Sequence, residues 1–401
     1  MTQISRRSLF GTAGAGALSL GLGGFVSTVS AAEAKNINWN ETTGFVIVGT
    51  GFAGLAAALE AHGLGMKKED ILILEKMPSA GGNSIINGGA VAAAGTDMQE
   101  KDGIKDSADL LYADILKAGG GLAHPSLARR IADESVENFY WLRDKIGVQF
   151  KAVTFHGGHS VKRSHAVTNN SGSGFINPML AKLKEYGIEP RLRTKVEELI
   201  VNDKGCVLGV KARTGYRFGR EESGKVTYIR ATKGVLLASG GFANNVKMRT
   251  SHDPRLTADF TSTNHPGATG EMIQEAQMPD SRCQHHSDGL DPDGPWAAPD
   301  ENGFGVAPLF VESALGYGPM IDPVTAKRFV QESGNRKVRA DAIVAMGHPA
   351  VIYTTEEIYA RALKNGVVKR YDTLKGMTDD LKIPFAELEK TYGIYNRHIK
   401  D

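Results

Sequence analysis

The chain has 401 residues, enough for two or three domains, and its 41% hydrophobic and 23% charged residues are the balance of an ordinary globular protein. A formal net charge of +2, with no Lys/Arg run, argues against nucleic acid or an anionic membrane as partner. Two cysteines, Cys206 and Cys283, cannot supply an iron–sulfur cluster or a four-cysteine zinc site, and there is no C-x-x-C-H for a c-type haem.

The first elements in chain order read as an address. Ser5-Arg6-Arg7-Ser8-Leu9-Phe10 leads into an uncharged, glycine-rich stretch from Ser8 to Ala32, then an Ala32-Glu33-Ala34 cleavage pattern. A basic start, a weakly apolar middle and small residues at the cut define a signal peptide over residues 1–34. The paired arginines point to the twin-arginine (Tat) route and a periplasmic protein. A retained anchor is the competing reading, though the glycines make a poor span. Nothing else has the uncharged length of a membrane helix, so no stable membrane insertion is expected after cleavage. Cys206 and Cys283 read as buried free thiols, with a disulfide as the alternative in an oxidising compartment.

Phe45-Val46-Ile47-Val48 is a continuous apolar run of β-formers, as expected of a parallel strand buried on both faces. Gly49-Thr50-Gly51-Phe52-Ala53-Gly54 follows directly, then the helix-forming Leu55 to Ala61. This is G-x-G-x-x-G in its strand–turn–helix context. Gly49 makes the tight turn, Gly51 lets backbone approach a pyrophosphate, and Gly54 lets helix pack close to strand. A second strand, Ile71 to Leu74, ends at Glu75, the acid expected to accept from a ribose hydroxyl. The pattern predicts a Rossmann-type dinucleotide site.

Further small residues follow in Gly81-Gly82-Asn83-Ser84 and Asn87-Gly88-Gly89, which fits a long cofactor continuing past its pyrophosphate. The segment from Phe45 to about Gly95 resembles the flavoprotein subunits of the fumarate reductase and succinate dehydrogenase family, and is most similar to the soluble periplasmic fumarate reductases of the flavocytochrome c type. Gly234 to Phe242 is similar to the family's second FAD-contacting strand, buried and ending in a glycine turn. Asn264 to Glu271 is similar to its T-G-D-G segment, with Glu271 for Asp. The resemblance implies an α/β fold: a Rossmann-type FAD-binding domain with an inserted α+β lid (capping) domain, C-terminally incomplete relative to the family. It implies FAD contacts at Ala53, Glu75, Asn83, Ser84, Gly88, Gly89, Ala238 and Glu271, beside Gly49, Gly51 and Gly54. Covalent members carry the flavin on a histidine near the double glycine. Ser84 to Gly89 contains none, so non-covalent FAD is expected.

Ala123 to Arg143 reads as helices, and Lys195 to Ala212 as a hairpin or meander turning at Asn202-Asp203-Lys204-Gly205. The FAD domain is expected over 35–280 and a partial lid over 281–401, with Asp288 to Gly305 a surface insertion.

Leu309 to Gly318, followed by Lys327-Arg328-Phe329-Val330-Gln331-Glu332 and then Arg336, is similar to the family's catalytic stretch. The resemblance makes Arg336 the proton donor, Glu312 its proton relay and His286 the holder of a substrate carboxylate. It implies reduction of an α,β-unsaturated carboxylate, with electrons from a separate donor such as a c-type cytochrome. Val311 and Leu315 stand where the family has polar groups, which favours an enoate with one carboxylate over fumarate. The family's chain continues beyond the segment matching Leu388 to Arg397 and brings further substrate contacts. Two alternatives stay open: a non-catalytic FAD-binding remnant, and a flavin dehydrogenase of the same superfamily. No metal site is expected.

Overall fold

A computed structural model describes residues 37–260, 262–276, 318–332, 334–354 and 369–399; the side chains of Arg336, His398 and Ile399 also lie outside the description. The predicted Cys283, His286, Asp288–Gly305 insertion, Val311, Glu312 and Leu315 fall outside these residues, as does the segment 1–34.

Strand β1 (Glu41–Val48) leads into helix α1 (Phe52–Gly63) and strand β2 (Ile71–Leu74). Helix α2 (Gly82–Ile86) and strand β3 (Ala90–Ala92) follow, then helices α3 (Asp97–Lys101), α4 (Ala108–Ala118) and α5 (Pro125–Tyr140), the last matching the expected helical region. Strands β4 (Phe150–Thr154) and β5 (Ser164–Val167) complete a three-stranded antiparallel sheet with β3 in the order β3-β5-β4. Helix α6 (Ser173–Glu185) returns the chain to the first sheet, which gains β6 (Thr194–Val201), β7 (Val207–Thr214) and β8 (Lys225–Leu237).

That main sheet has the order β2-β1-β8-β7-β6. β1 runs parallel to both β2 and β8, while β7 and β6 add an antiparallel meander that turns at Asn202, as expected. Parallel strands place their carboxyl ends on one edge, where open α/β sheets bind ligands. On one face Ile47, Ile71 and Ile73 pack against Leu55, Ala58 and Leu59 of α1 and Ile176, Met179 and Leu183 of α6. On the other, Val46, Val48 and Leu74 share a cluster with the meander and Met272. Alternate residues of β1 feed the two clusters, which is why its sequence reads as an unbroken apolar run.

Two expectations are corrected. Gly234 to Leu237 is half-buried rather than fully buried, because Leu236 and the pair Val235 and Leu237 sit only at the margins of the two clusters. Cys206 is an exposed free thiol, not a buried one, because it lies at the end of the β6–β7 turn, where its amide donates to Asn202 Oδ1 at 2.9 Å.

Beyond helices α7 (Val246–His252) and α8 (Glu271–Ala276), a second small core forms. Ile321 of strand β9 (Met320–Ile321) packs with Met377 of helix α10 (Leu374–Leu381) and Leu388 of helix α11 (Phe385–Ile399). Between them lie helix α9 (Arg336–Met346) and strand β10 (Val351–Ile352), which pairs with β9. No described helix is long and apolar enough to cross a membrane.

Candidate cofactor-binding site

The three motif glycines occupy positions that other residues could not. Gly49 has φ of +111°, and a Cβ there would meet the Ala238 carbonyl oxygen at 2.3 Å. A Cβ on Gly54 would lie 2.0 Å from the Gly49 carbonyl oxygen, so α1 can approach β1 only through a hydrogen atom. A Cβ on Gly51 would meet only Ser84 Oγ, at 3.1 Å. Gly51 is the helix N-cap and brings no side chain to the opening N–H groups of α1. Ser84 Oγ accepts the first of them, from Phe52, at 3.0 Å. Ala53 is exposed beside it. The first turn of α1 thus opens over small residues, and its N–H groups beyond Phe52 suit an anion.

Glu75 is buried at the end of β2, and its two oxygens are tied to the glycine turn. Oε2 accepts from the Thr50 amide at 3.2 Å and the Thr50 hydroxyl at 2.5 Å, while Oε1 accepts from the Met77 amide at 2.9 Å. Thr50 Oγ1 in turn accepts from the Gly81 amide at 2.9 Å. Three donors fill most of a carboxylate's roughly four lone-pair sites, leaving about one for a ribose hydroxyl. Motif spacing does not single out Thr50; its hydroxyl inside the glycine turn is the one signal that points to it.

Asn83 Oδ1 accepts the His265 amide at 2.5 Å and so binds α2 to the segment leading into α8. Burial holds the His265 imidazole below its ordinary range, with Lys76 adding to the effect and Glu75 opposing it. Lys76 Nζ pairs with Glu271 at 2.9 Å and also contacts the Thr269 hydroxyl, a link that no local pattern anticipates. Burial alone would raise the Glu271 carboxyl; the Lys76 charge and the bonds from Thr269 and Lys76 outweigh it and hold the carboxyl below its usual range. Gly89 is buried at φ of +71°, against the Ser171 amide, while Gly88 is exposed. Ala238 donates its amide to Val48 at 2.8 Å at the end of β8.

Gly49, Gly51, Ala53, Gly54, Glu75, Ser84 and Ala238 therefore converge on the carboxyl ends of three parallel strands, and Asn83 and Glu271 are linked to them through His265 and Lys76. Open backbone, helix N–H groups and a pre-set carboxylate fit a dinucleotide. Arg336 is the first residue of α9. Its neighbour Asn335 caps the helix by accepting the Lys337 amide at 2.8 Å and donates to the Ala118 carbonyl at 3.1 Å. Glu332, buried nearby in sequence, accepts the Met320 amide at 2.8 Å and pairs with Arg328.

Sheet order, glycine turn and terminal acid define a dinucleotide-binding protein, and the family match and relatives make it a flavoprotein of the FAD-dependent oxidoreductase class. Residues 44–382 match the family described as FAD binding domain, and the chain belongs to that family, with FAD as its cofactor. It is 38% identical over 384 residues to the acrylate reductase flavoprotein subunit of Shewanella woodyi, covering 92% of this chain and 74% of that one. A probable fumarate reductase of Shewanella frigidimarina is 29% identical, over 90% of this chain and 59% of the relative. Among solved structures, the open conformation of a flavocytochrome c3 fumarate reductase superposes with a TM-score of 0.66 at 26% identity, over 92% of this chain and 64% of that one. The chain therefore spans about three quarters of one curated relative and under two thirds of the other.

Proposed function

We propose that the protein is an exported reductase of an α,β-unsaturated carboxylate, holding FAD non-covalently at Gly49, Gly51, Ala53, Gly54, Glu75, Asn83, Ser84, Gly88, Gly89, Ala238 and Glu271. Residues 1–34 act as the Tat signal, 35–280 form the flavin domain and 281–401 contribute a lid. A separate protein, such as a c-type cytochrome, supplies the electrons.

When bound and reduced, FAD supplies a hydride to the substrate β-carbon. Negative charge then builds toward the carboxylate, where a fixed guanidinium stabilises it and gives a proton to the α-carbon. Arg336 performs that step, Glu312 returns the proton to it, and His286 holds the substrate carboxylate. Arginine is a poor acid in water, so the transfer needs a neighbouring carboxylate and a dry site. The observation that most supports this reading is the Gly49–Gly54 turn tied to the buried Glu75, which fits a dinucleotide such as FAD. Helix α9, which begins at Arg336, is anchored to the N-terminal half of the chain. Asn335 ties the backbone at Arg336 to the Ala118 carbonyl in the N-terminal half of the chain, at 3.1 Å.

The relatives named as acrylate and fumarate reductases support the reaction class. Val311 and Leu315, apolar in this chain, favour substrates with a single carboxylate. The test is spectroscopic: the purified protein is reduced with dithionite and challenged with acrylate, cinnamate and fumarate. Reoxidation of its flavin faster by acrylate or cinnamate than by fumarate is expected. Faster reoxidation by fumarate would sink the substrate assignment, and an R336M variant with undiminished turnover would sink the proton donor.

A further inference from the structure

The connection between β7 and β8 is built as a rigid tip. Tyr216 is buried at its root, where its amide donates to the Arg193 carbonyl at 2.8 Å and its hydroxyl to Glu221 Oε1 at 2.7 Å. Lys195 pairs with Glu221 and lies 5.3 Å from the centre of the Tyr216 ring. The Arg217 amide donates to Ser223 Oγ at 2.7 Å, closing the tip. At its end stands Phe218, 41% exposed.

The ring lies near Lys76, two residues beyond the end of β2. Lys76 Nζ lies 6.0 Å from the centre of the Phe218 ring, at the outer limit of a cation–π contact. Lys76 itself is engaged by Glu271 and Thr269. Arg193, whose carbonyl fixes the root of the tip, donates its amide to the Met77 carbonyl at 3.1 Å. Glu75, Lys76 and Met77 thus share one assembly with the tip. An aromatic ring thus stands near Lys76, next in sequence to Glu75, the acid read as the ribose partner, and a ribose carries its base on the carbon adjoining its 2′-hydroxyl.

We propose that Phe218 is the adenine platform of the cofactor site, its ring stacking on the purine of an adenine nucleotide whose ribose meets Glu75. The proposal rests on the reading of Glu75 as the ribose partner. Base–aromatic stacking is tolerant of sequence context and needs only a fixed ring with an open face. The anchored tip supplies the fixation, so little rotamer freedom is lost on binding. Specificity for FAD over a flavin lacking adenosine then arises partly from this residue.

The flavin-free protein and its F218A and F218W variants test this by titration with FAD and with ADP, which carries the adenosine but no flavin ring. F218A is expected to raise the FAD Kd about tenfold or more, and F218W to hold it near the parent value. ADP should quench the additional emission of F218W once the parent signal is subtracted. The melting temperature of flavin-free F218A should match the parent, since the exposed ring packs little of the core. Unchanged FAD affinity in F218A, or F218W emission indifferent to ADP, overturns the platform while leaving the Glu75 reading in place. A parent protein that binds neither FAD nor ADP overturns both.

Discussion

One oxygen of Glu75 accepts both the amide and the hydroxyl of Thr50, at 3.2 and 2.5 Å, so the acid at the end of β2 is orientated by the glycine turn it serves. Replacing Glu75 with Gln turns one acceptor into an NH2 group facing the donors of Thr50 or Met77. E75Q is expected to lose about 1–3 kcal/mol of stability from the unmatched buried donors. It should also weaken FAD binding at least tenfold. Urea unfolding and flavin titration measure the two effects separately. Undiminished FAD affinity in E75Q would leave Glu75 a purely structural acid.

Gly54 gives a steric prediction. Its added Cβ would sit 2.0 Å from the Gly49 carbonyl oxygen, so G54A forces α1 away from β1 and opens the turn. Overpacking of this kind costs roughly 1–3 kcal/mol, and FAD retention should fall with it. A Cβ added to Gly63, at the end of the same helix, would meet nothing within 4 Å, and G63A should be neutral or slightly stabilising. Equal melting temperatures for G54A and G63A would contradict the close-approach role.

The legible part of this protein is the part whose geometry is local. Gly49, Gly51 and Gly54 lie in one turn, and Glu75 ends the next strand, so apolar runs and spacing suffice to place them. The turn at Asn202 and the helix over Pro125–Tyr140 are readable for the same reason. The ion pair of Lys76 with Glu271 joins residues 195 positions apart, and no periodicity encodes it. The β3-β5-β4 sheet is not legible because its strands are three to five residues long and helices separate β3 from the other two. Cys206 misleads because cysteine is usually buried, whereas here a turn fixes its backbone at the surface.

Arg163 is fully buried and bridges two acids, Asp106 at 2.8 Å and Asp114 at 2.7 Å. Burial alone would raise the Asp114 carboxyl, but bonds from Ser160 and the Arg163 charge outweigh it and leave it below the ordinary range. A depressed folded value means the contribution of Asp114 is present above its unfolded value of about 3.8 and is lost as pH falls through the folded value. R163M strands two carboxylates in the interior and is expected to cost about 3–5 kcal/mol at pH 7. The deficit should hold from pH 7 to about pH 4 and shrink below it as Asp114 protonates. Chemical unfolding across that range checks it; a pH-independent deficit would mean lost packing rather than lost charge.

Glu275 of α8 behaves in the opposite sense. Its Oε1 accepts the Leu199 amide at 2.8 Å, and it faces Glu198 and Lys211. Glu198 Oε1 is occupied by Lys211 at 2.5 Å, while its Oε2 is buried without a hydrogen-bond partner. Burial, and then the charge of Glu198, push the Glu275 carboxyl above its usual 4.5 despite the Leu199 bond and Lys211. A raised folded value means the favourable contribution is complete below 4.5 and is lost as pH rises through the folded value. E275Q keeps the acceptor for Leu199, removes the ionisation and offers an NH2 group to Glu198. Its melting temperature should exceed the parent's by a few degrees at pH 7, with the difference vanishing at or below pH 4. E275A, which strands the Leu199 amide, should be less stable than the parent at pH 4. Because α8 also carries Glu271, the parent should hold FAD less firmly as pH rises, and E275Q should flatten that dependence. A parent and E275Q with parallel stability curves from pH 4 to pH 8 would mean that the Glu275 carboxyl is not raised on folding, the Leu199 bond and Lys211 balancing burial and Glu198.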